Sequence, residues 1–83
     1  MNIAVEISLY PFRDEYIPPI KDFIDRLNKQ PGLRVSTNNM STQVYGEYGQ
    51  VMKSVTEQIQ HTFKGAHRSV FVMKVVGPDP AWS

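Results

Sequence analysis

Ser8 and Tyr10 stand two residues apart in one short segment, and Ser41, Gln43, Tyr45 and Glu47 keep the same spacing in another. Two is the period of a β-strand, whose successive side chains point to opposite faces, so each set shares one face. Together they present hydroxyls, an amide, two rings and a carboxylate. A heteroaromatic cation wants those groups: a ring to stack on, an acid to balance charge, and hydrogen bonds for ring nitrogens. The same groups suit a polar subunit interface equally well, pairing across strands and with Lys74.

The elements that must position them follow from the hydropathy pattern. Residues 2–10 alternate, with Ile3, Val5, Ile7 and Leu9 on one side and Ala4, Glu6, Ser8 and Tyr10 on the other; this predicts a strand with one apolar face, ended by Pro11. After a connector in which Asp14 is a candidate helix cap, Pro18 and Pro19 suit a helix start. Ile20, Phe23, Ile24 and Leu27 then recur at spacings of three and four, which predicts an amphipathic helix stopped by Pro31-Gly32. Leu33, Val35 and Thr37 alternate up to an Asn38-Asn39 turn, and Thr42 and Val44 alternate after it, as in a hairpin. Gly49 is a candidate cap for a second helix, whose stripe is Met52, Val55, Ile59 and Phe63 with Val51 beside it. Gly65 stands where a left-handed helix end belongs. Ser69 to Val76 reads as a last strand, apolar on both sides apart from Lys74.

The order strand–helix–strand–strand–helix–strand, with right-handed crossovers, predicts an α+β ferredoxin-like domain: a four-stranded antiparallel sheet with two helices on one face. One domain over residues 1–77 and an irregular tail over 78–83 account for the chain. Ile3, Val5, Ile7, Leu9, Leu33, Val35, Thr42 and Val44 should meet the helices. Glu6, Ser8, Tyr10, Arg34, Ser36, Asn38, Ser41, Gln43, Tyr45 and Glu47 should line the open face. Apolar residues of the last strand also fall on that open side, where exposure invites association. A second subunit covering part of the face is expected.

Composition narrows the rest. Nine Lys and Arg against eight Asp and Glu leave a net charge of +1 among 83 residues, without the basic excess of a nucleic-acid binder. The glycine- and aromatic-rich signature of RNA-recognition strands is missing as well. No cysteine is present, which excludes disulfides, cysteine zinc sites and a thiol nucleophile. The apolar runs are far shorter than the ~20 residues that span a bilayer, and the first residues do not read as a secretory signal; a cytoplasmic protein is expected. His61 and His67 stand without companions for a metal or catalytic site. Arg13 follows the first strand, as the anion-binding arginine of acylphosphatases does on this fold, but Pro11-Phe12-Arg13-Asp14 lacks the glycine-lined donor loop that chemistry needs. No catalytic residue, cofactor or metal is expected.

Ser8-Leu9-Tyr10-Pro11 closing the first strand, Met40-Ser41-Thr42 opening the third, and Gly46-Glu47 before the second helix resemble the YkoF-like, thiamine-binding family. The Pro31-Gly32 turn and the Gly77-Pro78-Asp79 exit add to the likeness, which runs over about residues 3–79. The resemblance implies a non-enzymatic binding protein for thiamine or its hydroxymethylpyrimidine half, assembled through sheet faces and edges as a homodimer or homotetramer. Two-domain members carry a tandem copy; here an assembly of subunits would replace it. The positions carried over are Ser8, Tyr10, Ser41, Thr42 and Glu47, with Asn38 and Tyr45 as further ligand contacts. Glu47 would meet the amino-pyrimidine edge or the thiazolium charge, and Tyr10 or Tyr45 would stack. Thr42 has the opposite parity, so the ligand could take either side of the sheet. The alternative is a structural or regulatory homo-oligomer with no small ligand.

Overall fold

The computed structural model describes residues 1–65 and 68–81; His67 and Trp82 lie outside the described residues. Its elements are β1 (Asn2–Pro11), α1 (Ile17–Asn28), β2 (Arg34–Thr37), β3 (Thr42–Glu47), α2 (Tyr48–Phe63) and β4 (Ser69–Val76). The strands form one antiparallel sheet in the order β2-β3-β1-β4. This is the ferredoxin-like arrangement that the element order predicted, with β1 and β3 central.

Register assigns the faces. Val5 pairs with Val44 on one side and Val75 on the other, and Val44 in turn pairs with Val35. Ile3, Val5, Ile7, Leu9 and Val44 are buried against Phe23 and Leu27 of α1 and Val51 and Val55 of α2. Each such side chain contributes roughly 1.5–3 kcal/mol by leaving water. Leu33 and Val35 pack partly buried at the margin, and Thr42 is buried, so the helix-facing set is the one read from the alternation. Phe71 extends the core under the edge strand, its ring 5.0 Å from Phe23 and 5.5 Å from Phe63. Phe63 itself is 53% exposed and covers the rim of the core, not its interior.

Three helix ends differ from expectation. Asp14 does not cap α1; Tyr16 takes the cap position with no side-chain bond. A capping side chain bonds the N–H groups two and three residues on, and after Tyr16 those residues are Pro18 and Pro19, which have none. Gly49 does not cap α2. Glu47 does, accepting from the Gly49 N–H at 2.9 Å and the Gln50 N–H at 3.2 Å, which a glycine has no side chain to do. Gly65 is not left-handed; its N–H closes a tight turn onto the Thr62 carbonyl at 3.0 Å. Gly32 is left-handed, at φ 76°, and turns the chain out of α1 toward β2.

The helices are bolted together by Arg26. Its guanidinium donates to the Gln58 carbonyl and side-chain oxygen and to the Thr62 hydroxyl, while its Nε donates to Asp22 at 2.9 Å. At the far end of β1, the Asn2 N–H donates to the Asp79 carboxylate and the Asp79 N–H to the Asn2 carbonyl, both at 2.7 Å. That pair holds Asp79 at φ 47°.

Candidate functional site

The open face of the sheet carries the residues with chemistry, and register decides which of them meet. Glu6 of β1 lies between Gln43 of β3 and Lys74 of β4. Its carboxylate is 3.7 Å from the Lys74 ammonium. Two residues on, Ser8 pairs with Val72, and two further on, Tyr10 pairs with Val70. Beside this row the β2–β3 loop comes down at Met40 and Ser41. Glu6, Ser8, Tyr10, Ser41 and Lys74, together with Met40 and Val72, enclose a depression of about 270 Å³.

The loop that forms its wall is built by Asn38. The Asn38 side-chain oxygen accepts from the Met40 N–H at 2.8 Å and the Ser41 N–H at 3.0 Å, and its own N–H donates to the Ser41 carbonyl. Asparagine favours such turns because its short side chain substitutes for a backbone acceptor. The Ser8 hydroxyl donates to the Met40 carbonyl at 3.3 Å, tying the loop to β1.

A second cleft, of about 130 Å³, opens on the helix side of the same strand ends, between Ile20 and Ile24 of α1 and the 37–42 segment. Thr42 lines it, buried, its hydroxyl 3.2 Å from that of Thr37. Ser8, Tyr10, Met40 and Ser41 border both hollows, so β1's end and the loop form a ridge between them. Pockets for drug-sized ligands run from about 300 Å³ upward. The helix-side cleft therefore has room for one small ring, whereas the open-face depression approaches the size of a two-ring molecule.

Five of the sequence-derived candidates thus come together: Ser8, Tyr10, Asn38, Ser41 and Thr42 all border the ridge. Tyr45 and Glu47 are elsewhere. Glu47 pairs with Asn2 at the opposite end of β3, about 20 Å of strand from Ser41. The Tyr45 hydroxyl accepts from the Asn2 side-chain amide at 3.3 Å. The Glu47 carboxyl sits below its ordinary value of 4.5, because the N–H groups of Gly49 and then Gln50 donate to it. This charge anchors α2, as negative charge at a helix start does.

Four residues lining the open-face depression escaped the candidate set: Glu6, Lys74, Met40 and Val72. Parity placed Glu6 on the open face, and Lys74 stood out as the sole charge in β4, but their juxtaposition needed the β1–β4 register. Among the described residues no cluster of His, Asp or Glu is suited to hold a metal ion, and no helix is long and apolar enough to cross a membrane. His61 is exposed in the last turn of α2.

A family model described as thiamine-binding protein matches residues 5–77. No curated protein matches the chain. Among solved structures, a hypothetical protein of Methanocaldococcus jannascii superposes with a TM-score of 0.81 at 22% identity, over 98% of this chain and 84% of that one. A candidate thiamine biosynthesis or salvage protein of Thermotoga maritima gives 0.71 at 21% identity, over 94% and 85%. A Streptococcus pneumoniae protein gives 0.84 at 20% identity, over 95% and 90%. At these identities the likeness of the structures speaks for the fold alone.

Proposed function

Because this chain belongs to the thiamine-binding protein family, we propose that it binds thiamine, or the pyrimidine half of thiamine, in the open-face depression and does no chemistry on it. The convergence of Tyr10, Ser8, Ser41 and Glu6 on one hollow carries this reading. Tyr10 supplies a half-exposed ring for stacking, the serines and the loop backbone supply hydrogen-bonding groups, and Glu6 supplies a negative charge for a cationic ring. The name of the Thermotoga neighbour is in keeping with a role in making or recovering the vitamin. Calorimetric titration of the full chain with thiamine and with hydroxymethylpyrimidine tests the reading. Heat of binding at one site per chain supports it, and its absence at millimolar ligand removes it. A thermal shift with the same ligands gives an independent check, since a ligand of the native state raises Tm by mass action.

The depression opens to solvent, and a second copy of the chain is proposed to close it. Val70, Val72 and Val76 of β4 lie on the open face and are 41%, 49% and 53% exposed. Exposed apolar side chains on an edge strand favour self-association. Light scattering that returned the mass of a single chain would remove the proposed dimer or tetramer and leave the binding reading to stand on the titration.

A further inference from the structure

We infer that the depression selects a dipolar ligand, a heteroaromatic cation that also bears a phosphate ester, and that Lys74 is the residue that recognises the ester. The inference rests on the thiamine reading above and goes further, to which form of the ligand is bound.

A site built for a cation alone would keep positive charge away. Here an ammonium stands 3.7 Å from the acid, directly opposite it across the β1–β4 pair, and lines the same hollow. An ion pair exposed at both ends adds little to stability. The Lys74 side chain is 75% exposed and that of Glu6 43%, so the lysine, on its flexible four-carbon stem, is free to swing from the acid to an arriving anion. A cationic ring would take the lysine's place at Glu6, and the displaced ammonium would meet the phosphate.

Tyr10 and Glu6 are four residues apart on one face of β1, or about 14 Å along the strand. An aromatic platform thus stands at one end of the hollow, an acid and an ammonium at the other, and the Ser8 and Ser41 hydroxyls between. The cationic ring beside Glu6 and the ester at Lys74 would share one end of the hollow, with the first ring extending past the serines toward Tyr10. Val72, opposite Ser8 on the β4 side, offers an apolar wall to that first ring.

The test is a calorimetric comparison of thiamine, thiamine monophosphate and inorganic phosphate on the full chain and on the variants Lys74→Met and Glu6→Gln. Both side chains are solvent-exposed, and melting curves verify that the variants fold. In the unaltered chain the monophosphate is expected to bind about tenfold tighter than thiamine, the scale of one charge-assisted contact. Lys74→Met abolishes that gap while thiamine binding holds or strengthens, because a repelling charge is gone. Glu6→Gln weakens thiamine and the ester together. Inorganic phosphate alone binds far more weakly than the ester. An ester that binds no tighter than thiamine, or a gap that survives Lys74→Met, overturns the inference while leaving the thiamine reading intact. Inorganic phosphate binding as tightly as the ester overturns it by making the hollow a plain anion site. Absence of binding by all three overturns the inference and the thiamine reading together.

Discussion

One nitrogen of Arg26 in α1 holds Gln58 of α2 twice, donating to its backbone carbonyl at 3.0 Å and to its side-chain oxygen at 2.9 Å. The second terminal nitrogen reaches the Thr62 hydroxyl at 2.8 Å. The guanidinium's flat fork of donors makes this possible from a single residue, and it fixes how the two helices lie across the sheet.

Arg26→Met is therefore expected to lower stability by about 1.5–3 kcal/mol, the range for hydrogen bonds to a charged group. Asp22→Ala removes an exposed partner of the same arginine and should cost less than about 1 kcal/mol. Urea unfolding of the two variants compares them directly. Equal losses would show that the salt bridge, not the inter-helix bonds, carries the effect.

Gly46 is held to its size by neighbours. A β-carbon there would come within 3.2 Å of the Gly32 carbonyl oxygen and of the Val51 side chain, and 3.3 Å from Leu33. One of these contacts is backbone and cannot swing away. Gly46→Ala is expected to destabilise by about 1–3 kcal/mol, as overpacking does, by forcing β3 from the turn that follows α1. A chemical-denaturation midpoint no lower than that of the unaltered chain would contradict this.

The Glu47 cap should make stability depend on acid pH. Its carboxyl is depressed in the folded chain by the Gly49 and Gln50 N–H groups. Its contribution is thus fully present above the ordinary value of 4.5 and is lost as pH falls through the lower folded value. Glu47→Gln should melt a few degrees lower at neutral pH, and the gap should close on acidification. Melting curves across the acid range check the sign; a gap that widens as pH falls would reverse the assignment.

Ligand affinity separates the two tyrosines of the open face. Tyr10→Ala removes the ring that borders the depression and should weaken thiamine binding by about 3–10-fold, the scale of one aromatic contact. Tyr45→Ala alters the opposite end of the sheet, where the hydroxyl meets Asn2, and should leave affinity unchanged. The reverse ranking in a titration would move the site along the strand to Tyr45 and Glu47.

Loss of Leu27, which is fully buried at the centre of the helix–sheet contact, should cost about 2–5 kcal/mol as Leu27→Ala. The open-face residues lie on the other side of the sheet from it, so affinity at a temperature where the variant is folded should hold. Parallel loss of binding in the fully folded variant would mean that the depression depends on core packing.

Alternation along β1 and β3 was enough, from sequence alone, to assign a helix-facing set and an open set, because a strand's period is two and a shift of one residue would have carried Glu6 into the core. The spacing of Ile20, Phe23, Ile24 and Leu27 identified α1 on the same footing, and together these patterns determined the element order and hence the fold. Helix starts were less legible. Whether Asp14, Gly49 or Glu47 caps depends on which N–H groups exist and lie within reach, a matter of local geometry that hydropathy does not encode. The site divided along the same line. Parity showed that Ser8, Tyr10, Ser41, Tyr45 and Glu47 share a face, but a face is long, and only the pairing of Asn2 with Glu47 and of Glu6 with Lys74 decided which end each occupies. Strand register joins residues distant in the chain through backbone hydrogen bonds that every residue type can make, so no side chain announces its partner; the tertiary structure alone could put Lys74 beside Glu6 and move Glu47 to a helix start.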